Sequence, residues 1–174
     1  AEGENTMTTY TAPLRDMRFV LHELFDAPAT LTALPGLEDA SADVMDAVLD
    51  ECAKLCEEVL FPLNVVGDRQ GLKYKDGTVT TPDGFKEAYK TYVEGAWPTL
   101  TWPEEYGGQN MPEFLNMPML EMVCSSNLSF GLTPGLTHGA VHALLMHAND
   151  EIKKTYLPNM ISGRWSGVMC LTEP

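Results

Sequence analysis

The chain has 174 residues, with 11 basic and 25 acidic side chains and a formal net charge of −14. That length suits one domain able to bury roughly 70% of its unfolded surface, and the acidity argues against a general basic surface for nucleic acid or anionic membrane. No run approaches the roughly 18 apolar residues of a membrane span, and the start, A-E-G-E-N-T, has neither a basic nor an apolar leader region, which points to a cytoplasmic protein.

Met7 followed by Thr-Thr-Tyr reads as a natural start, so residues 1–6 are expected to be a remnant of recombinant expression. From Pro13 to Phe25 a first-turn proline precedes Leu14, Met17, Leu21, Leu24 and Phe25 at helical spacing, which predicts a short amphipathic helix. The next stretch to Asp39, with Pro28, Pro35 and Gly36, reads as a connector. Ser41 is a candidate N-cap for a helix whose face runs through Met45, Val48, Cys52, Leu55, Cys56 and Val59. This is expected to be the longest helix, ended or kinked at Pro62.

Lys73-Tyr74-Lys75, Asp76-Gly77 and Thr78-Val79-Thr80 carry the chemistry of a small type I′ hairpin. Thr81-Pro82-Asp83 offers a cap, a first-turn proline and an acid for a helix with Phe85, Ala88, Tyr89, Tyr92 and Val93 on its buried stripe, ending at Gly95. The following W-P-T-L-T-W-P-E-E-Y-G-G, from Trp97 to Gly108, cannot be a regular helix, and its aromatics are too apolar for a loop left in water. It either plugs the helical lobe or lies at an interface with further domains. Leu115, Met119, Met122 and Val123 then predict a helix between Pro112 and Ser125.

Gly131, Gly135 and Gly139 recur every four residues, so a helix through them has a face without side chains. Such glycines cost about 1 kcal/mol each relative to alanine. Tight helix packing or loop structure around Pro134 is one explanation. The other is a channel walled by Leu132 and Leu136. His138 and His142, at i and i+4, could share a metal ion, but no glutamate follows the first histidine as in a zinc protease and no third ligand is evident, so no metal site is expected. Cys52, Cys56, Cys124 and Cys170 form no C-x-x-C pair and read as reduced core residues.

The last stretch, S-G-R-W-S-G-V-M-C-L-T-E-P, holds eight mostly apolar residues from Trp165 to Thr172 before Glu173-Pro174, which reads as one buried strand. A lone strand leaves its backbone groups unsatisfied, so its partners are expected beyond residue 174 and the chain reads as cut. The run Ala148-Asn149-Asp150-Glu151-Ile152-Lys153-Lys154-Thr155-Tyr156-Leu157-Pro158, then Ser162-Gly163, then Leu171-Thr172-Glu173-Pro174, resembles the junction of helical and β domains in acyl-CoA dehydrogenases. Pro103-Glu104-Glu105-Tyr106-Gly107-Gly108 is similar to that family's P-x-E-[YF]-G-G loop, and the start, T-A-P-L-R-D-M-R-F-V-L-H-E-L, resembles an extension in a larger bacterial subgroup of methylmercaptopropionyl-CoA dehydrogenase type.

The resemblance implies an all-α lobe with a small hairpin and one terminal strand: an extension over residues 1–35, a helical domain over 36–163, and the first strand of a middle β domain over 164–174. It implies an enzyme using FAD to oxidise acyl-CoA, with electron-transfer flavoprotein as acceptor and a homodimeric or homotetrameric parent. By motif position it assigns Met169, Leu171 and Thr172 to the flavin and Gly131, Leu132, Gly135, Leu136 and Gly139 to the acyl chain, while Cys170 points away into the core. The family's catalytic glutamate falls beyond residue 174, so Glu104, Glu105 and Glu173 are given no catalytic role. The alternative is a non-catalytic helical interaction module derived from that fold.

Overall fold

In the computed structural model, which describes residues 9–170, helices pack around one main core and a smaller satellite. α1 (Leu14–Arg18) runs on through a π turn, Phe19–Leu24, and buries Met17 and Leu21. The stretch expected to be a connector instead contains a short helix, α2 (Ala27–Thr32), because Pro28 occupies its first turn, where a missing N–H costs nothing.

The Ser41 hydroxyl accepts from the Val44 amide at 3.4 Å and starts α3 (Ala42–Lys54), the capping expected of it. A π turn, Leu55–Leu60, then leads into α4 (Phe61–Gln70), so Pro62 does not end the helix. In that turn the Phe61 amide reaches back to the Cys56 carbonyl, and the widened turn passes the chain through the proline. Met45, Leu49, Cys52, Cys56 and Leu60 form the buried stripe.

β1 (Lys73–Lys75) pairs antiparallel with β2 (Thr78–Thr80), with Tyr74 opposite Val79. Asp76 and Gly77 both have positive φ, 49° and 80°, as a type I′ turn requires. α5 (Phe85–Glu94) starts later than Thr81 suggested. Gly84, at φ 83°, is its N-cap residue, and Gln70 takes the Asp83 amide at 3.0 Å. Three 3-10 turns follow, at Trp97–Thr99, Glu104–Tyr106 and Glu113–Leu115.

The longest helix is α6 (Asn116–His147), broken at Asn127, whose φ of −157° and ψ of 88° are not helical. It merges the helix expected before Ser125 with the glycine-bearing stretch after Ser129. α7 (Asp150–Ile161) is capped by Asn149, whose side chain accepts from the Ile152 amide at 2.9 Å.

After α7 the expected strand does not form over residues 166–170, and the only ladder among the described residues is the hairpin. Trp165, Val168 and Met169 are exposed, and among the described residues no strand pairs with this stretch. Cys170 is likewise exposed rather than core, unlike Cys52 and Cys56, which are buried; all four thiols are free. Residues 1–6 and Met7, and at the other end Leu171, Thr172, Glu173 and Pro174, lie outside the described residues.

Candidate functional site

The P-E-E-Y-G-G loop takes its shape from two glycines and a set of backbone bonds. Gly107 has φ 88°, and a Cβ on Gly108 would lie 1.9 Å from the Trp102 carbonyl oxygen. With the chain that close, the Asn110 amide donates to the Trp102 carbonyl at 2.9 Å and the Met111 amide to Leu100 at 3.0 Å. The fold thereby drives Trp102 inward, where it is 5% exposed and packs with Val141, Leu157, Met160 and Ile161. Of the two readings of this loop, plugging the helical lobe describes what Trp102 does.

Beneath that loop lies a cavity of about 100 Å³, lined among others by Tyr89, Trp97, Trp102, Met119, Gly135 and His138. Tyr89 closes one end by donating its hydroxyl to the Gly163 carbonyl at 2.9 Å. Burial pushes the Tyr89 and Tyr92 hydroxyls above their ordinary pKa.

The three glycines of α6 do not share one environment. Gly131 is buried, and a Cβ there would sit 3.2 Å from both Val123 and Cys124, which is tight packing across the Asn127 break. Gly135 lines the cavity, and a Cβ on Gly135 or Gly139 would meet nothing within 4 Å. Leu132 and Leu136 do not line the cavity; they are 57% and 37% exposed. With Leu128, Gly139, Ala143 and Met146, all exposed, they form an apolar stripe along α6. Of the residues assigned to the flavin, Met169 is 64% exposed, while Leu171 and Thr172 lie outside the described residues.

A second constellation was only half visible in the sequence. His138 and His142 lie on one side of α6, and the Glu113–Leu115 turn brings Glu113 against them, its carboxylate 3.1 Å from His138 Nε2. Glu113 thus supplies a third possible donor beside the two imidazoles, one that spacing did not reveal. No local signal could have named Glu113, because only the packing of that turn on α6 joins them. Burial holds the His138 pKa below its ordinary value, against the opposing pull of Glu113. Trp102 packs tilted against His138 and edge-on to His142, with centroids 4.4 Å and 5.2 Å away.

No helix among the described residues is long and apolar enough to cross a membrane. The chain is 40% identical over 166 residues to a 3-methylmercaptopropionyl-CoA dehydrogenase of Ruegeria pomeroyi, covering 95% of this chain and 28% of that protein. It is 33% identical over 168 residues to a butyryl-CoA dehydrogenase of Syntrophomonas wolfei, covering 95% of this chain and 27% of that protein. The chain therefore spans less than a third of the length of these relatives. A solved chain described as an electron transferring flavoprotein of Acidaminococcus fermentans superposes with a TM-score of 0.61 at 21% identity, covering 75% of this chain and 32% of that one, a likeness of fold. The sequence profile of the acyl-CoA dehydrogenase N-terminal domain matches residues 45–164, the span from the buried face of α3 to the turn after α7. With that match added to the P-E-E-Y-G-G loop and the mostly helical lobe around it, the chain belongs to the acyl-CoA dehydrogenase family.

Proposed function

We propose that the chain is the N-terminal helical part of a cytoplasmic acyl-CoA dehydrogenase that converts acyl-CoA to trans-2-enoyl-CoA. The observation that carries this reading is the apolar stripe on α6. Leu128, Leu132, Leu136 and Met146 are exposed beside two glycines with open space where a Cβ would be. Buried area normally covers such a stripe in a soluble protein, and a thioester's alkyl chain laid against it, under the remaining domains, would do so. Gly135, which borders both the stripe and the cavity, sets how far that chain can reach.

The reaction removes a proton from the thioester α-carbon, which is far too weakly acidic for a carboxylate in water. Fixed hydrogen-bond donors and a water-free site must stabilise the developing enolate oxygen by several kcal/mol. The contribution we assign to this lobe is exclusion of water, for which the buried Trp102, Tyr92, Val141 and Met160 around the cavity supply apolar walls. We assign the proton-abstracting glutamate to chain beyond residue 174, and give neither Glu104 nor Glu105 that role.

Bound FAD would supply the acceptor for the β-hydrogen, which leaves as hydride. Met169, Leu171 and Thr172 are the residues we assign to hold it. The exposure of Met169, on backbone without a ladder partner, fits a surface waiting to be covered. We further assign electron-transfer flavoprotein as the acceptor and a homodimer or homotetramer as the working form. The test is to express the product of the natural gene and assay acyl-CoA oxidation with an artificial electron acceptor. Formation of the 2-enoyl thioester is expected. A gene product of 174 residues that binds partners but turns over no acyl-CoA would instead support a non-catalytic helical module.

A further inference from the structure

Glu113, His138 and His142 offer one carboxylate oxygen and two imidazole nitrogens, all within 4.8 Å of one another. We propose that these three side chains bind a divalent transition metal of the zinc class, which clamps the Glu113–Leu115 turn onto α6. The proposal is independent of the acyl-CoA reading.

The donor set selects the ion. Two imidazoles and a carboxylate suit Zn²⁺ and its first-row neighbours, whereas Mg²⁺ and Ca²⁺ prefer oxygen alone. Three protein ligands leave the fourth tetrahedral position to water. With metal–ligand bonds of about 2.0–2.1 Å, tetrahedral ligand atoms lie about 3.3 Å apart. Glu113 and His138 are already at 3.1 Å. All three donor atoms lie within 4.8 Å of one another, so a small adjustment of Glu113 and His142, both exposed, brings the set to that spacing.

The surroundings hold the ligands. Asn116 Nδ2 donates to Glu113 Oε1 at 2.9 Å, an outer contact that orients the carboxylate. The buried Trp102 lies against both imidazoles. The i, i+4 spacing on an unbroken stretch of α6 puts both rings on one side of the helix.

The test uses the untagged full chain, stripped with a chelator and titrated with Zn²⁺ against a chromophoric competitor. One Zn²⁺ per chain is expected, and Co²⁺ in its place is expected to show the visible absorption of a four- or five-coordinate ion. His142→Ala and Glu113→Gln should each weaken binding by more than about 100-fold, since even outer-shell partners carry about 10–100-fold. Both residues are exposed, so unchanged circular dichroism should show that the variants fold, and His147→Ala should bind as the parent does. At a hundredfold excess of Zn²⁺ over Kd the thermal midpoint should rise by about 5–10 °C, and not in Glu113→Gln. Absence of stoichiometric binding, or binding unchanged in both ligand variants, would overturn the proposal.

Discussion

The Asn127 side-chain amide donates to the Leu60 carbonyl at 3.0 Å, tying the break in α6 to the π turn between α3 and α4. Its carbonyl oxygen accepts from the Phe130 amide at 3.1 Å and the Ser129 hydroxyl at 2.8 Å, so it caps the second half of α6. One buried side chain thus ends one helical run, starts the next and anchors both to a neighbour. Asn127→Ala would leave the Leu60 carbonyl and the Phe130 amide without partners, at about 1–3 kcal/mol each. A loss of about 2–4 kcal/mol in urea unfolding is expected. Asn127→Asp keeps the cap but not the donor, and should fall between alanine and the parent chain.

The P-E-E-Y-G-G loop depends on the close approach of Gly108 to the Trp102 carbonyl. Gly108→Ala forces the backbone apart at the point that sends Trp102 into the satellite core. A destabilisation of about 2–4 kcal/mol is expected, with loss of the near-ultraviolet dichroism that a fixed tryptophan contributes. Gly107→Ala, with only its left-handed backbone to strain, should cost about 1–2 kcal/mol.

A charged cluster fastens α1 to α3. Arg18 bonds Asp46 at 3.1 Å and also pairs with Asp50 at 2.6 Å, and His22 Nε2 lies 2.9 Å from Asp46. Burial pushes the Asp46 carboxyl upward, but the bonds from His22 and Arg18 outweigh it and hold the group below its ordinary value. A carboxylate with a depressed folded pKa stabilises the fold above the unfolded value near ~4 and loses that contribution as pH falls through the folded value. The group is partly exposed, so solvent screening limits the effect to less than about 1 kcal/mol. Hydrogen-exchange protection in α1, taken relative to the intrinsic rate at each pH, should therefore fall below pH ~4 more in the parent chain than in Asp46→Asn, which lacks the titrating group.

Gly135 separates the packing and channel readings of the α6 glycines. A Cβ there meets nothing, so Gly135→Leu should leave stability unchanged or raise it by up to about 1 kcal/mol through helix propensity. If the proposed acyl-CoA dehydrogenase activity holds, the same change in the natural gene product should lower turnover of longer acyl chains by at least about tenfold while sparing short ones. Equal loss for all chain lengths would place Gly135 outside the acyl path.

Local chemistry made several features readable from residues alone. Asp76-Gly77 announced the hairpin because few residue pairs accept two positive φ angles, and Ser41 announced its helix because its hydroxyl takes up an orphan amide. Features decided by tertiary contact were not readable. Pro62 looked like a helix end or a kink, and the π turn before it carries the helix through. Asn127 looked unremarkable until the Leu60 carbonyl appeared beside it. Glu113 became a candidate ligand only when its turn packed against α6. Cys170 read as core on the premise of a sheet, and without one it is exposed. The resemblance carried by the loop and by the α7 region reached the family, which periodicity alone could not have done.

The most direct test of the proposed activity is an anaerobic titration of the full-length flavoprotein with acyl-CoA, followed by flavin absorbance. Prompt bleaching at one equivalent of acyl-CoA per flavin, with 2-enoyl-CoA as product, is the expected result. An unchanged flavin spectrum with saturating acyl-CoA of short, medium and long chain would contradict the assignment of this lobe to an acyl-CoA dehydrogenase reaction.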